Sequence, residues 1–169
     1  VSGAYTVTSS ILSLTVDGSN GSSATVSRAG DYCPIYCKIK CQLSDRNNNQ
    51  EAYLGFVNDI TDQTIKILAY FSGTDNATIK FISSYSGIDE ETEETDVVLP
   101  VGLTTAQFLQ YGIYFNGPTA NFTINDIVVA KHGNHLPNMY QDMELVAGIH
   151  NLDSTVSASL NIDTFCFSN

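Results

Sequence analysis

Basic residues are scarce in this chain. Of its 169 residues, seven are Lys or Arg and 18 are Asp or Glu, so the formal net charge is −11. Binding to phosphate groups needs cations, and this balance therefore predicts that neither a nucleic acid nor an anionic membrane surface is a partner. It favours solubility and a neutral or cationic partner.

Long hydrophobic runs are absent as well. No stretch approaches the roughly 18 apolar residues that a membrane-spanning helix needs, which predicts no membrane insertion. The chain opens on Val1 without a basic segment and an apolar stretch behind it. We therefore expect a processed product or a piece of a longer protein. The length predicts a single domain over 1–169, able to bury roughly 70% of its extended surface.

Helix-forming residues are few, whereas β-branched, aromatic and small polar residues dominate. Such residues favour pleated, half-buried strands, and short alternating runs recur between clusters of Gly, Asn, Asp and Ser. The predicted fold is all-β, an antiparallel β-sandwich or barrel. About eleven strands are predicted, at 4–16, 23–28, 35–43, 52–58, 63–72, 78–85, 96–101, 107–115, 121–130, 141–147 and 156–167.

Two polar segments are predicted to lie in solvated loops. The acidic run 89–94 is typical of an exposed loop and less often of a cation-binding loop. His132 and His135 stand in a segment rich in Gly, Asn and Pro, and we expect both to be surface residues, because two histidines are too few for a zinc site.

The four cysteines are Cys33, Cys37, Cys41 and Cys166. The spacing of the first three matches neither a zinc nor a redox motif. Cys37 and Cys41 share one face of a strand about 13 Å apart, so they cannot bridge each other. We expect small, buried core residues there, and a disulfide from Cys166 to one of the other three stays open.

The centre of the chain carries a resemblance. An aromatic-rich strand ends in Asn-Gly-Pro at 116–118, and 122–127 then reads Phe-Thr-Ile-Asn-Asp-Ile. This pattern resembles the closing strands of the jelly-roll carbohydrate-binding modules that are appended to xylanases, cellulases and laminarinases. The segment 21–27 is similar to an early strand of that family.

The resemblance implies a jelly-roll sandwich whose core spans 1–130, with 131–169 as a C-terminal extension that forms an extra hairpin. It also implies one structural Ca²⁺ near the closing strand, with Asp126 as a ligand. A hard cation takes six to eight oxygen ligands, and Asp17 and Asp31 converge with Asp126 if the early strands lie beside the closing one.

The same resemblance implies glycan binding. An aromatic ring stacks on the apolar face of a pyranose, and polar side chains bind the hydroxyl rim. The chain has no Trp, so tyrosine has to provide the stacking. The candidate stacking residues are Tyr53, Tyr70, Tyr85 and Tyr114, and the candidate hydrogen-bonding residues are Lys66, Lys80, Gln110 and Asn116.

Catalytic motifs are missing, and no two acids pair in a recognisable arrangement for glycoside hydrolysis. The sequence therefore predicts no enzyme but a non-catalytic carbohydrate-binding module, acting extracellularly, at a cell surface or in a viral or phage attachment protein. It would belong to a larger multidomain or multimeric assembly that supplies avidity. The alternative is a structural or protein–protein interaction sandwich, in which the tyrosines are buried in a subunit interface.

Overall fold

The computed structural model describes residues 3–8, 10–19, 21–29, 35–44, 46, 50–58, 65–86, 90–138, 142–152 and 156–168. These residues form thirteen strands. In chain order they are β1 (Gly3–Thr8), β2 (Ile11–Val16), β3 (Ser23–Ala29), β4 (Ile35–Leu43), β5 (Gln50–Val57), β6 (Lys66–Ser72), β7 (Thr78–Ser86), β8 (Glu90–Val98), β9 (Leu109–Phe115), β10 (Ala120–Ile124), β11 (Ile127–His132), β12 (Glu144–Asn151) and β13 (Ala158–Ser168).

The strands pair in two antiparallel sheets. The seven-stranded sheet has the order β1-β2-β13-β4-β9-β10-β11, and the six-stranded sheet has the order β3-β12-β5-β6-β7-β8. The sheets pack face to face over one hydrophobic core, as two-layer β-proteins do. The predicted all-β, antiparallel sandwich of jelly-roll type is confirmed. Within the described ranges, no helix is long and apolar enough to cross a membrane.

The last two strands do not form the extra hairpin that the resemblance implied. β12 lies between β3 and β5 in one sheet, and β13 lies between β2 and β4 in the other. β12 is buried on both faces, with Leu145, Val146, Ala147 and Ile149 all shielded from solvent. A continuous apolar run of this kind is typical of a strand covered on both sides, so 131–169 supplies interior strands of both sheets.

Two predicted strands are each split by a turn. The segment 4–16 breaks at Ser10, where φ is 69°, and the segment 121–130 breaks at Asn125 and Asp126, where φ is 50° and 66°. Two consecutive residues with positive φ make the tight turn that joins antiparallel strands, and Asn and Asp tolerate this conformation. Ile124 and Ile127 therefore face each other across a hairpin and do not continue one strand.

The acidic run is a strand and not a loop from residue 90 onward, and Asp89 lies outside the described residues. Glu94 pairs with Ile82 and Asp96 pairs with Lys80 along the β7–β8 ladder, and β8 forms one edge of its sheet. The prediction failed because the charge count hides the strand-forming threonines at 92 and 95. Charged side chains on an edge strand also discourage pairing with another chain.

Aromatic side chains fill the space between the sheets. Phe71 and Tyr111 meet edge to face with their ring centroids 5.4 Å apart, and the centroids of Phe81 and Phe122 are 4.7 Å apart. Phe71 and Phe81 come from one sheet and Tyr111 and Phe122 from the other, so these contacts fix how the two sheets lie against each other.

The cysteine predictions are confirmed where the structure describes the residue. Cys37 and Cys41 are free and buried in the core, and Cys166 is free and exposed. Burial raises the pKa of both core thiols far above the ordinary value, which makes them unreactive packing residues. Cys33 lies outside the described residues.

Candidate functional site

The outward side of the six-stranded sheet, which we call the six-stranded face, carries a row of polar side chains. Strand pairing sets Tyr53 opposite Tyr70, Tyr70 opposite Lys80, and Lys80 opposite Asp96. Because side chains alternate between the two sides of a strand, all four project away from the core. The sheet thus holds residues from β5, β6, β7 and β8 in one line across the strands.

The neighbouring row is apolar and forms a floor. Leu68 lies opposite Ile82, and Ile82 lies opposite Glu94. Leu68 and Ile82 are buried even though they face outward. An apolar floor beside a polar row is the combination that a sugar ring requires, since its C–H face is apolar and its rim carries hydroxyls.

Two adjoining cavities open around Tyr70 and Lys80. The larger cavity has a volume of about 320 Å³ and is lined by Glu51, Lys66, Leu68, Tyr70, Lys80, Ile82 and Glu94. The smaller has a volume of about 190 Å³ and is lined by Arg46, Tyr70, Ser72, Asp75, Thr78, Lys80 and Asp96. Because Tyr70 and Lys80 line both cavities, the two cavities form one continuous depression, which we call the central groove.

Tyr70 lies at the middle of the central groove between two carboxylates. Its hydroxyl donates a hydrogen bond to the carboxylate of Glu51, and the charge of Glu94 also acts on it. Partial burial is the main reason why the pKa of Tyr70 is raised, and the two glutamates raise it further. Tyr70 therefore stays a neutral hydrogen-bond donor at every physiological pH.

Lys80 holds Glu94 on the far side of the groove. The Lys80 Nζ and the Glu94 Oε2 are 2.6 Å apart, and this hydrogen bond is the main reason why the pKa of Lys80 is raised. The groove thus pairs one glutamate with a cation and the other, Glu51, with the neutral hydroxyl of Tyr70.

Arg46 closes the end of the groove next to the β6–β7 turn. Its guanidinium donates to the backbone carbonyls of Gly73 and Thr78, at 3.1 and 2.9 Å, and also to that of Ser72. Partial burial lowers the pKa of Arg46. Asp75 stabilises the same turn by accepting from the Thr78 hydroxyl, so this wall of the groove is held by fixed hydrogen bonds.

Tyr53 shares the six-stranded face but is used for packing. Its ring lies against β12, where a Cβ at Gly148 would come within 2.6 Å of the Tyr53 Cζ. The Tyr53 hydroxyl is 3.3 Å from the Thr25 hydroxyl, and the ring packs on a small buried cluster that contains Leu68 and Val146. Only glycine at position 148 permits this close approach.

The structure separates the predicted sugar-binding residues. Tyr53, Tyr70, Lys66 and Lys80 lie on the six-stranded face, whereas Tyr114 and Gln110 project from the outer side of the other sheet. Tyr114 is 41% exposed and pairs with Tyr36, and Gln110 donates to Asp126 at 3.0 Å. The predicted residues therefore do not make one binding surface.

Two further predicted residues lie away from both outer faces. Tyr85 follows Ser83 at spacing two near the end of β7, so it points to the core side of the strand although it is 39% exposed. Asn116 caps the β9–β10 turn, where its side-chain oxygen accepts from the Thr119 backbone N–H at 3.0 Å.

The predicted calcium ligands are not brought together as far as the structure describes them. Asp126 lies 2.6 Å from the Lys38 Nζ, and this contact is the main reason why the pKa of Asp126 is lowered. Asp17 follows β2, four strands away from β10, which is about 19 Å across the sheet. Asp31 lies outside the described residues, among which no three His, Cys, Asp or Glu side chains converge on a metal position.

Sequence reasoning missed three of the groove residues, namely Glu51, Arg46 and Glu94. Glu51 was detectable, because it alternates with Tyr53 on one strand and so shares its face. Glu94 was hidden by the assignment of the acidic run to a loop. Arg46 lies between strands, and no local pattern predicts that it binds the carbonyls of a turn that is distant in the sequence.

His132 is buried and not on the surface. Its ring is fully shielded from solvent, with Nδ1 2.8 Å from the Ser83 hydroxyl and Nε2 3.0 Å from the Thr95 hydroxyl. Burial lowers the pKa of His132, and the charge of Glu93 opposes this shift. The prediction failed because the histidine ends β11 facing the core, where two hydroxyl groups satisfy both ring nitrogens.

Comparisons with known proteins identify the fold. No protein-family model and no curated protein matches the sequence. Among solved structures, the Bacillus licheniformis β-glucanase superposes with a TM-score of 0.75 at 12% identity, over 98% of this chain and 82% of that one. The laminarinase catalytic domain of Thermotoga maritima gives a TM-score of 0.75 at 12% identity, covering 98% and 80%.

A glycoside hydrolase family 16 endo-glucanase from Bacteroides ovatus is also similar, with a TM-score of 0.74 at 8% identity, over 98% of this chain and 85% of that chain. These similarities establish the jelly-roll fold. They correct two predictions, that the chain is a non-catalytic module and that it is not an enzyme, because the proteins that share its fold over nearly its whole length are glucan hydrolases. The alternative prediction, a structural or protein–protein interaction sandwich, is likewise not favoured.

Proposed function

We propose that this chain is a glycoside hydrolase that cleaves a β-glucan in the central groove. The observation that carries the proposal is the pair of carboxylates, Glu51 and Glu94, that line one cavity on either side of Tyr70. Glycoside hydrolysis in most families uses two such carboxyl groups flanking the scissile bond. The choice of a β-glucan is supported by neighbours of the same fold that are named as β-1,3-glucanases and β-1,3-1,4-glucanases.

The groove supplies groups for both sides of a sugar ring. Tyr70 presents an aromatic ring and the buried side chains of Leu68 and Ile82 an apolar floor, against which the C–H face of a glucosyl unit packs. Lys66 and Lys80 line the same cavity and donate hydrogen bonds to the hydroxyl rim. The line of side chains across β5 to β8 orients the glucan chain perpendicular to the strands.

The reaction consumes one water molecule for each bond that is broken. The bond between the anomeric carbon and the bridging oxygen breaks, and the bridging oxygen takes a proton from a carboxylic acid. The anomeric carbon takes the hydroxyl group of the water, and the remaining proton goes to the carboxylate that acts as base. If that base is the group that acted as the acid, its proton is restored directly. If it is the other carboxylate, the two groups exchange one proton with solvent before the next turnover.

The neighbours of the two glutamates differ, and this difference assigns their roles. Glu94 is bound to the Lys80 ammonium at 2.6 Å and is the anionic partner, which attacks the anomeric carbon or activates the water. Glu51 has the neutral Tyr70 hydroxyl as its partner in the groove, and we assign it the role of the acid. Lys80 and Tyr70 act as positioning residues for these carboxylates.

The test is hydrolysis of laminarin and of mixed-linkage β-1,3-1,4-glucan, followed by the release of reducing ends. Glu51→Gln and Glu94→Gln keep the size of each side chain but cannot exchange a proton in the same way. Each is expected to lower the rate at least about 100-fold, the range in which acid–base groups contribute, while the unfolding midpoint stays close to that of the wild type.

The matched control is Asp126→Asn, which also removes one carboxylate bound to a lysine but on the other sheet, and it should keep the wild-type rate. A wild-type chain that releases no reducing ends from either glucan would refute the proposal. So would full activity in both glutamine variants, because the chemistry would then lie elsewhere.

We further propose that the chain acts outside the cell, since its polymeric substrate is found there. A place at the cell surface or on a virion, and membership of a larger assembly, stay predictions from the sequence.

A further inference from the structure

Two tyrosines lie side by side on the outward side of the seven-stranded sheet. Tyr36 on β4 is directly opposite Tyr114 on β9. Their chain neighbours Cys37 and Ile113 are buried in the core, so both tyrosines point to solvent. Directly opposite residues have their Cβ atoms about 5 Å apart, which places the two rings next to each other. We call this pair the tyrosine platform.

The tyrosine platform is held at the centre of a rigid sheet. β4 is the middle strand of the seven, and β9 is its neighbour. The Lys38 Nζ lies 5.8 Å from the centroid of the Tyr36 ring and also donates a hydrogen bond to the Tyr36 hydroxyl. A ring that is held in place before binding loses little conformational entropy when a ligand stacks on it.

Polar side chains continue the row of the platform toward the sheet edge. Asn121 on β10 is directly opposite Tyr114, and Lys131 on β11 is opposite Asn121. The Gln110 amide lies on the same outward side of β9, where it donates to Asp126 at 3.0 Å. Amide, ammonium and carboxylate groups are the donors and acceptors that bind the hydroxyl groups of a sugar.

Ion pairs neutralise the two lysines of β4 next to the platform. The Lys38 Nζ is 2.6 Å from the Asp126 Oδ1, and the Lys40 Nζ is 2.6 Å from the Asp163 Oδ2. These cations are therefore already matched, and the net charge of −11 repels an acidic partner. Exposed aromatic rings with a polar and nearly neutral rim fit a ligand that has an apolar face and many hydroxyl groups.

We propose that the tyrosine platform is a second carbohydrate-binding site, which holds a neutral polysaccharide on the face opposite to the central groove. Tyr36 and Tyr114 stack on the C–H faces of sugar rings. Asn121 and Lys131 bind hydroxyl groups farther along the row. The proposal adds to the hydrolysis proposed for the groove and does not rest on it, since the two sites share no residue and lie on opposite sheets.

The test is electrophoresis in native gels that contain laminarin, mixed-linkage β-1,3-1,4-glucan, xylan or galactomannan, against a gel without polysaccharide. The Tyr70→Ala chain, which lacks the ring of the central groove, should still be retarded by at least one polymer. Adding Tyr36→Ala and Tyr114→Ala to it should raise the dissociation constant at least about fivefold, because two aromatic contacts are lost. Retardation by none of the four polymers would overturn the proposal.

Matched variants separate stacking from other effects of the substitutions. Tyr114→Phe keeps the ring and should keep the retardation. Tyr85→Ala removes a tyrosine of similar exposure, 39% against 41%, from a position off the platform, and should keep it too. Unfolding midpoints show that each variant is folded, and the single variant Tyr114→Ala, expected to bind at least about twofold more weakly, replaces the combined variant if that one does not fold.

Two results would refute the assignment of the platform to a polysaccharide. One is an unchanged dissociation constant in the folded alanine variant. The other is a wild-type dimer in sedimentation that Tyr114→Ala converts to monomers, because the platform would then be covered by a second copy of the chain. Loss of hydrolysis alone bears only on the central groove, since retardation is measured without turnover.

Discussion

At the scale of single residues, burial decides what a side chain does. His132 and Tyr70 both looked like surface residues in a polar context, yet one is enclosed between two hydroxyl groups and the other lies half-buried between two glutamates. The alternation of side chains along a strand predicts which residues share a face. It does not say whether that face is covered, because the covering residues come from other parts of the chain.

The buried histidine predicts a specific pH dependence of stability. Its pKa in the folded chain is lowered by burial, so the unfolded chain binds more protons once the pH falls below about 6.5. The stability that comes from the neutral ring is present above that pH and is lost as the pH falls toward the folded pKa. Urea unfolding midpoints should therefore fall between pH 7 and pH 5.5 in the wild type.

His132→Gln should reduce this slope, since glutamine offers one donor and one acceptor but does not titrate. His150→Gln, which leaves the buried ring in place, is the control and should keep the wild-type slope. Equal slopes in all three proteins would mean that other groups govern stability in this range.

At the scale of the elements, the acidic strand β8 contributes residues both to the central groove and to the core. Its outward side brings Glu94 and Asp96 to the central groove, and its inward side brings Thr95 to His132. The same carboxylates keep an edge strand from pairing with a neighbouring molecule. A segment that was predicted to be a solvated loop therefore lines the candidate site and also protects the sheet edge from pairing with another chain.

Removing the charges from β8 should make the chain self-associate. The double variant Glu94→Val, Asp96→Val leaves an uncharged, β-branched edge that offers its backbone to a second copy. Light scattering should detect oligomers or aggregates at concentrations where the wild type is monodisperse. The control Asp142→Val, Glu144→Val loses the same two negative charges near an interior strand, and association of both variants to the same extent would show that lost net charge is the cause.

At the scale of the whole molecule, the order of the strands determines whether a fragment of the chain can fold. β12 and β13 occupy interior positions in the two sheets, and β13 completes the seven-stranded sheet between β2 and β4. The central groove depends on the same order, because β5 and β8 reach one face only once β6 and β7 lie between them.

A fragment that ends at residue 130 is therefore expected not to fold. It would lack an interior strand in each sheet and leave the edges of β3, β5, β2 and β4 unpaired, with the core open to water. Far-ultraviolet circular dichroism and a thermal scan should show no cooperative transition. A fragment that melts cooperatively would instead support the division into a core over 1–130 and an appended extension.

The sequence by itself determined the structural class and several local assignments. Alternating patterns, scarce helix formers and turn residues are local signals, so the strands, the sandwich and the buried Cys37 and Cys41 followed from neighbours along the chain. The same parity places Lys66, Leu68 and Tyr70 on one face of β6 and Ile67, Ala69 and Phe71 on the core face.

Only the tertiary structure decided which distant residues meet. Glu51 and Glu94 share a cavity because three strand pairings stack β5 to β8, and Tyr114 is excluded from that cavity because its strand belongs to the opposite sheet. Strand order and register arise from the packing of the whole core, to which every segment contributes and which no single segment encodes. For the same reason, only the pairing of β5 with β12 shows that the buried side-chain oxygens of Gln50 and Asn151 lie side by side without a hydrogen-bond partner among the described residues.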